Sequence, residues 1–538
     1  MQNNKAGEQK LFKQFGRFSI VLLFGASLLH AGEFEEYQKA QNESFQKYKD
    51  ERDAAFNNYL KEQWKAYKEF AGESLYEKPK PKAIPKVEYV APQSLGPKVV
   101  IQLKTEPKAI VPPHEAIVQK EQPNIKVLPI VQKQDQKPVI EKKESKPIAQ
   151  TKPLPPKQES IEQKVLPQPV IAKVAKKDIN FLFFGTMLGY NIPSDIKQAR
   201  FYPNTQAGIA SFFDKAASSE YKPLITDIQT TIKTMNLNDW GVYLLVNNLS
   251  AQIFSNKDEV RLFSWFVFNK LGYAVKVGLA DGHVVLLTYS KKIIYSTPNY
   301  TFDNKKYYAL DFYNKKGVGS LYTYNQDYPG SMRPLDLAIT SLPKFAEAKN
   351  SKTLKFTYQR KEYKIPFNYN QNIIDFMATY PQADYDTYFD APVENESYVQ
   401  VASSLKQYID GKQASDAMNF VLSFVQHAFV YETDDQQFGR EKPMFAEETL
   451  YYNASDCEDR AALYAYLTRK LFNVNLVGVK YSDHMSTAVN VPIPGDAYTI
   501  ADQRFVSADP TYINASIGQS MPQYKNVIPE TFIPVLPN

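Results

Sequence analysis

The sequence predicts an α+β protein in which one domain is written twice, behind a long helix and an extended tether. Three observations carry this expectation. Near the C-terminus, Leu463, Leu467 and Leu471 recur every four residues as on a helix face. The runs Val474 to Tyr481, His484 to Val491, Tyr498 to Ile500 and Arg504 to Ala508 then alternate as strands do. A helix followed by consecutive short strands is the order of an α+β domain with an antiparallel sheet. A similar order of motifs runs through residues 178–345, and between Lys78 and Lys177 the chain holds 17 of its 35 prolines.

The elements follow in order. Lys5, Lys10, Lys13 and Arg17 precede an apolar run of about a dozen residues, Phe18 to Leu29, and the triplet Leu29-His30-Ala31. Residues 1–31 therefore read as an export signal, too short for a bilayer span of about 20 residues. Leu29 is a poor cleavage residue, which leaves an uncleaved anchor as the alternative. No cysteine follows for lipidation. Residues 33–72 read as one amphipathic helix with an eleven-residue aromatic repeat: Phe34, Phe45, Phe56 and Tyr67, beside Tyr37, Tyr48, Tyr59 and Phe70. Eleven residues per three turns keep one stripe on one face and suit a coiled coil with a right-handed supercoil, so residues 33–71 are expected to self-associate, bind an envelope protein or dock on the protein itself. Residues 73–177 read as a disordered Pro/Lys-rich linker. Between Lys78 and Lys177, 20 lysines face 9 acidic residues, whereas the whole chain carries only +6. The basic balance thus belongs to the tether and gives no reason to expect a nucleic-acid partner.

Residues 353–538 hold the chain's single cysteine, Cys457, within Ser-Asp-Cys-Glu-Asp. An exported protein with one cysteine forms no internal disulfide, so the thiol is either an inert core residue or a nucleophile. Ser455 and Asp456 are helix N-cap types, which places Cys457 in a first helical turn, where free amides favour a thiolate. Asp456, Glu458 and Asp459 oppose this by charge, so a thiolate there would need an imidazolium beside it. Of five histidines, His427 lies in an apolar helical pattern and reads as a core residue, whereas His484 opens a strand. Asp509 ends a later strand in Asp-Pro-Thr-Tyr. A thiol needs a base, and the imidazole a carboxylate that fixes its tautomer.

Glu-Glu-Thr-Leu (447–450), Asp-Cys-Glu-Asp (456–459), His484 in its strand and Asp-Pro-Thr-Tyr (509–512) together resemble the transglutaminase-like superfamily, in particular its bacterial transglutaminase-like cysteine peptidase branch. The resemblance covers roughly residues 396–520. It implies a papain/transglutaminase-like domain with a helix bearing the cysteine and an antiparallel sheet bearing the other two groups. Cys457 would be nucleophile, His484 base and Asp509 its orienter, with the Cys457 amide in the oxyanion hole. Where relatives often place glycine before Asp-Cys, this chain has Ser455.

Residues 178–345 read as a degenerate copy of residues 353–538. Ser255-Asn256-Lys257-Asp258-Glu259 falls on Ser455-Asp456-Cys457-Glu458-Asp459, Lys270-Leu271 on Lys470-Leu471, His283 on His484 and Asp311 on Asp509. With Lys257 in the thiol's place, this copy has no cysteine chemistry. It also lacks a counterpart of residues 432–454. His283 and Asp311 are expected either to satisfy one another or to serve binding or gating.

The function implied is attack of Cys457 on an amide, giving a thioester that water resolves in a peptidase or amidase and an amine in a crosslinking transferase. The substrate would be a peptide or protein, with cell-wall peptide one such case, in the periplasm or cell envelope. No cofactor is expected, because one cysteine with distant histidines offers no zinc or iron–sulfur spacing. The alternative is a non-catalytic envelope scaffold built on the same domains. Thiol labelling separates the two.

Overall fold

The computed structural model describes residues 47, 50–61, 68–72, 87–103, 177–313 and 318–535. The export signal lies outside these residues, as do residues 33–46, 48–49 and 62–67 of the expected 33–72 helix and most of the tether. The chain divides into two compact units, residues 1–58 and 59–538. In the first, residues 50–58 are helical. No helix among the described residues is long and apolar enough to cross a membrane.

The second unit is mixed α+β, with two larger antiparallel sheets, three two-stranded pairs and helices packed on them among the described residues. It opens with strand β1 (Lys68–Phe70), then the hairpin β2 (Ile179–Phe183) and β3 (Thr186–Tyr190) and helices Gln206–Ala217, Lys222–Thr234, Asp239–Ile253 and Lys257–Lys270. Strands β4 (Val275–Ala280), β5 (His283–Tyr289), β6 (Asn299–Phe302), β7 (Lys305–Tyr308) and β8 (Leu321–Thr323) follow. They form a six-stranded sheet with β1, in the order β1-β8-β4-β5-β7-β6.

The hairpin β9 (Lys349–Tyr358) and β10 (Lys361–Asn370) then leads to helices Gln371–Ala378, Asp386–Phe389, Asn395–Ile409 and Ala414–His427. Short parallel strands β11 (Val430–Tyr431) and β12 (Ala454–Ser455) close the base of a long insertion. The cysteine helix, Cys457–Phe472, ends at Asn473 in the left-handed region, φ 51°. Asparagine tolerates that conformation better than most residues. Strands β13 (Leu476–Lys480), β14 (Met485–Val489), β15 (Ala497–Ile500), β16 (Gln503–Ala508) and β17 (Thr531–Pro534) form a sheet in the order β15-β16-β14-β13-β17.

Without β1, the two sheets have the same strand order, each fed by a helix that starts at the position of interest. Even the tight hairpins agree. Asp303 and Asn304 join β6 to β7 with φ of 47° and 60°, and Ala501 and Asp502 join β15 to β16 with the same pair of angles. Two successive positive φ values are those of a type I′ turn, whose twist matches paired strands. The cysteine helix is buried on nearly all sides, with Ala461, Leu463, Tyr464 and Leu467 in one core with Phe356, Phe424 and Val506.

Two expectations for the N-terminal third need correction. Residues 68–70 are a strand rather than the end of a helix, because their backbone pairs with the open edge of β8, Lys68 opposite Thr323 and Phe70 opposite Leu321. Within the expected linker, residues 87–103 are an ordered strap on the second half. The Val99 amide donates to the Lys412 carbonyl at 2.8 Å, and the Gly411 amide to the Val99 carbonyl at 2.9 Å. The Ile101 amide donates to Asp410 Oδ1 at 3.0 Å, and the Ile101 side chain is buried in the core of the second half. Proline-rich composition signals extended backbone, and here that extended backbone finds partners on a helix-to-helix turn.

Candidate functional site

Cys457 is the first residue of its helix, as the cap residues require. The Asp456 amide is tied to Asp459 Oδ2 at 3.1 Å, which fixes the start of the helix. The insertion between β11 and β12 then covers that start. Its Met444 amide donates to Asp459 Oδ1 at 2.7 Å and its Lys442 amide to Asp434 Oδ2 at 2.6 Å, while Lys442 Nζ pairs with buried Glu448 at 2.6 Å. The thiol is consequently buried, only 2 % exposed.

His484 directly precedes β14 and Asp509 directly follows β16, adjacent strands, so the two side chains meet. His484 Nε2 and Asp509 Oδ2 lie 2.8 Å apart, both buried. The other Asp509 oxygen accepts from the Thr511 and Tyr512 amides at 2.9 and 3.2 Å. Gln426 holds the turn from behind, donating to the carbonyls of Asp509, Tyr512 and Ala515. The aspartate is immobilised and occupies Nε2, so Nδ1 is the imidazole nitrogen left for a thiol. His427 spends its nitrogens on Ser423 and Asn514, in keeping with a structural role.

The thiol and the imidazole make no hydrogen bond to each other among the described residues. Cys457 Sγ instead donates to Glu458 Oε2 at 3.0 Å, and the Met485 amide, next in the chain to His484, points at the sulfur. Burial, then the Glu458 and Asp456 carboxylates, push the thiol well above its ordinary value. The acids around it are also raised by burial and by one another, Asp434, Asp456 and Asp459 alike. Burial and like charge thus both favour the neutral form of each of these carboxyls.

This cluster is where a cation could be held. Carboxylate oxygens of Asp434, Asp456 and Asp459 come within 4.8 Å of one another, as do those of Asp434, Glu441 and Glu458. Among the described residues neither Asp456 oxygen has a hydrogen-bond partner, although the residue is buried. An all-oxygen donor set suits a hard cation such as Ca2+ rather than zinc. Sequence reasoning, which looked for Cys and His spacing, passed over it because the ligands come from separate segments.

Reasoning from sequence also missed a ring of tyrosines. Tyr385, Tyr431 and Tyr524 stand close enough to the sulfur that a thiolate would raise each phenol further. Tyr385 sits on a segment that the first half grips. The Tyr295 amide donates to the Gln382 carbonyl at 2.8 Å, Tyr295 Oη to Asp384 at 3.0 Å and Lys292 Nζ to Asp386 at 2.8 Å. Arg440, from the insertion, donates to Tyr313 Oη of the first half at 3.0 Å.

In the first half the three corresponding residues do not form a site. Lys257 begins its helix and is exposed. His283 is largely exposed and bonds Asp258 through Nδ1 at 3.0 Å. Asp311 accepts from Tyr243 Oη and Arg261 Nε, each at 2.9 Å. The expectation that His283 and Asp311 satisfy one another is therefore incorrect, because Arg261 neutralises Asp311 and Asp258 captures the histidine. No family model, curated protein or solved structure matches this chain.

Proposed function

We propose that this chain is an exported, periplasmic cysteine enzyme that cleaves or transfers amide bonds. Residues 353–538 form its papain/transglutaminase-like catalytic domain and residues 178–345 a degenerate copy. The observation that carries the reading is the buried His484–Asp509 pair on neighbouring strand ends, with its free Nδ1, next to a helix whose first residue is the only cysteine.

In the reaction, His484 takes the thiol proton and the sulfur attacks the amide carbon, forming a C–S bond. The oxyanion is met by the Cys457 amide at the helix start. The imidazolium protonates the departing amine as the C–N bond breaks, leaving a thioester. Water, activated by the same imidazole, then releases the acid and the thiol. Hydrolysis is the favoured outcome, with a peptide or protein as substrate and cell-wall peptide as the first class to test. Because the thiol rests neutral on Glu458, the active state is the ion pair formed when the proton moves to His484.

The same resting thiol favours a second reading, a non-catalytic envelope scaffold whose buried Cys457 is structural. Iodoacetamide labelling of the full chain at neutral pH separates the two. Labelling that depends on His484, with turnover of stem peptides or periplasmic proteins lost in Cys457→Ala, supports the enzyme. A thiol inert in both wild type and His484→Ala supports the scaffold.

A further inference from the structure

We propose that the outer edge of strand β9 is a docking site for an acidic, extended segment of a partner protein, which adds to the β9–β10 hairpin as a third strand. The inference goes beyond the catalytic reading and does not depend on it. In the hairpin, Thr353 lies opposite Pro366. Proline has no amide hydrogen, so these two residues cannot exchange hydrogen bonds and form a non-hydrogen-bonded pair. By alternation Ser351, Lys355 and Thr357 belong to pairs of the same kind, opposite Asn368, Lys364 and Glu362. The amides and carbonyls of these four β9 residues therefore point away from β10.

The two edges of the hairpin are finished differently. On the β10 side the Asn368 amide donates to Gln400 Oε1, the Asn368 carbonyl accepts from Ser397 Oγ at 2.8 Å, and Pro366 has no amide to offer. On the β9 side, among the described residues, nothing bonds to the outward backbone groups of Ser351, Thr353, Lys355 or Thr357. These groups run along most of a ten-residue strand. An open edge is a template for another strand, and this chain covers the edge of β8 in that way with residues 68–70. The hairpin that opens the first half, β2–β3, has only five residues in each strand, none of them charged, so the long basic hairpin is particular to the second half.

Charge selects the occupant. Between Lys349 and Asn370 the hairpin holds six basic residues and one acidic residue, Glu362, whereas the chain outside Lys78–Lys177 is net negative. Lys349 is paired with Glu396 at 2.6 Å, and Lys352 Nζ donates to the Leu450 and Tyr452 carbonyls at 3.2 and 3.0 Å. Lys355 and Lys364 are exposed, lie directly opposite each other, and have no carboxylate partner among the described residues. Like charges facing across a sheet are unfavourable. Carboxylates at alternate positions of an added strand would relieve that repulsion, since side chains on one face recur about every 7 Å. The same lysines disfavour the other candidates. A second copy of this edge carries the same positive charge, and the proline-rich tether is itself basic. Backbone pairing then supplies affinity, and charge the choice of partner.

The test is fluorescence anisotropy of the full-length protein with two labelled decapeptides, one of alternating Glu and Val and one of alternating Lys and Val. The acidic peptide should bind about tenfold more tightly or better. Thr353→Pro removes one outward amide that serves no bond within the hairpin, so the fold should stand. It should weaken the acidic peptide about tenfold. Where Thr353→Pro lowers the denaturation midpoint, Thr357→Pro repeats the test at the next outward pair but one. Lys355→Glu combined with Lys364→Glu should reverse the preference between the peptides. Equal binding of the two peptides, or binding of neither, overturns the proposal. Reversal of the preference by the glutamates, with full binding kept in both proline variants, would show a surface that holds anions without pairing strands, and overturns it as well. Neither turnover nor the thiol enters these measurements, so the catalytic reading stands or falls separately.

Discussion

The helices that begin at Cys457 and Lys257 occupy the same place in two sheets of the same strand order, yet only one start is covered. The difference lies in what stands over the helix. The insertion between β11 and β12 brings Lys442, Met444 and Asp434 over Cys457 and excludes water. At Lys257 the side chain projects into solvent. The partners of the strand that follows diverge accordingly. The Met485 amide faces the sulfur, whereas the Val284 amide is taken by Asp258 Oδ1 at 2.9 Å. In one half the histidine pairs with the aspartate at the end of the neighbouring strand. In the other a carboxylate binds both the histidine and the amide beside it. A shared scaffold therefore does not fix the surroundings of these residues; the covering loop and the carboxylate's choice of partner do, since Asp258 takes His283 whereas Glu458, at the corresponding position, takes the Cys457 thiol.

The sharpest way to break this comparison is Cys457→Ala, which should abolish turnover by a factor on the order of 10^4 or more with the fold intact. Turnover at wild-type rate in that variant would end the assignment. His484→Ala should be as severe. Asp509→Ala should be milder by about two orders of magnitude, since an orienting carboxylate is less indispensable than the base. Steady-state kinetics on a stem-peptide or protein substrate would rank the three.

The strap sharpens the comparison from the side of stability. Ile101→Ala removes a side chain buried in the second core and should cost about 2–5 kcal/mol, seen as a lower denaturation midpoint. A chain that starts near residue 350 lacks the strap altogether and should be less stable than one supplied with residues 87–103 as a peptide. Equal stability would show the strap to be ornamental.

A smaller effect concerns pH. Burial raises the Glu447 carboxyl to about 8, although it accepts from the Glu394 amide and the Ser397 hydroxyl. Between the unfolded value, about 4.3, and about 8 the folded chain holds a proton that the unfolded chain releases. Stability must then fall as pH rises through that window. In Glu447→Gln that part of the slope should vanish from a denaturation series. The smallest expected effect is that of Lys257→Ala, which should leave kcat unchanged, and a loss of activity there would mean the first half contributes to the chemical step.

Much of the second half was legible in the sequence because its signals are local. The period-four leucines, the alternating strands and the cap at Asp456 are written within a few residues of one another, and they place Cys457, His484 and Asp509 on the right elements. What could not be read depends on distant partners. Lys68 to Phe70 continue an aromatic repeat and still pair as a strand, because the β8 edge is open to them. Tyr524 lies in a loop without periodicity, and only the turn of the chain lays it on His484. The capture of Asp311 by Arg261 overrode an expected pairing because the arginine lies one helical turn beyond Lys257 and reaches across. Local pattern reports the element, while pairing is decided by the whole molecule.

The strap also sets an order of events for the growing chain. Ile101 and its partner Asp410 are 309 residues apart, so the segment is made long before its seat exists. At about 5–20 residues per second of synthesis, some tens of seconds separate the two. The first half can complete its sheet in that interval, except for any contribution from residues still to come. The core of the second half is complete only when residue 101 docks on it, a contact of high sequence separation that slows folding. The half with the thiol is therefore the last to become compact, and Cys457 is sheltered only once nearly the whole polypeptide has been made.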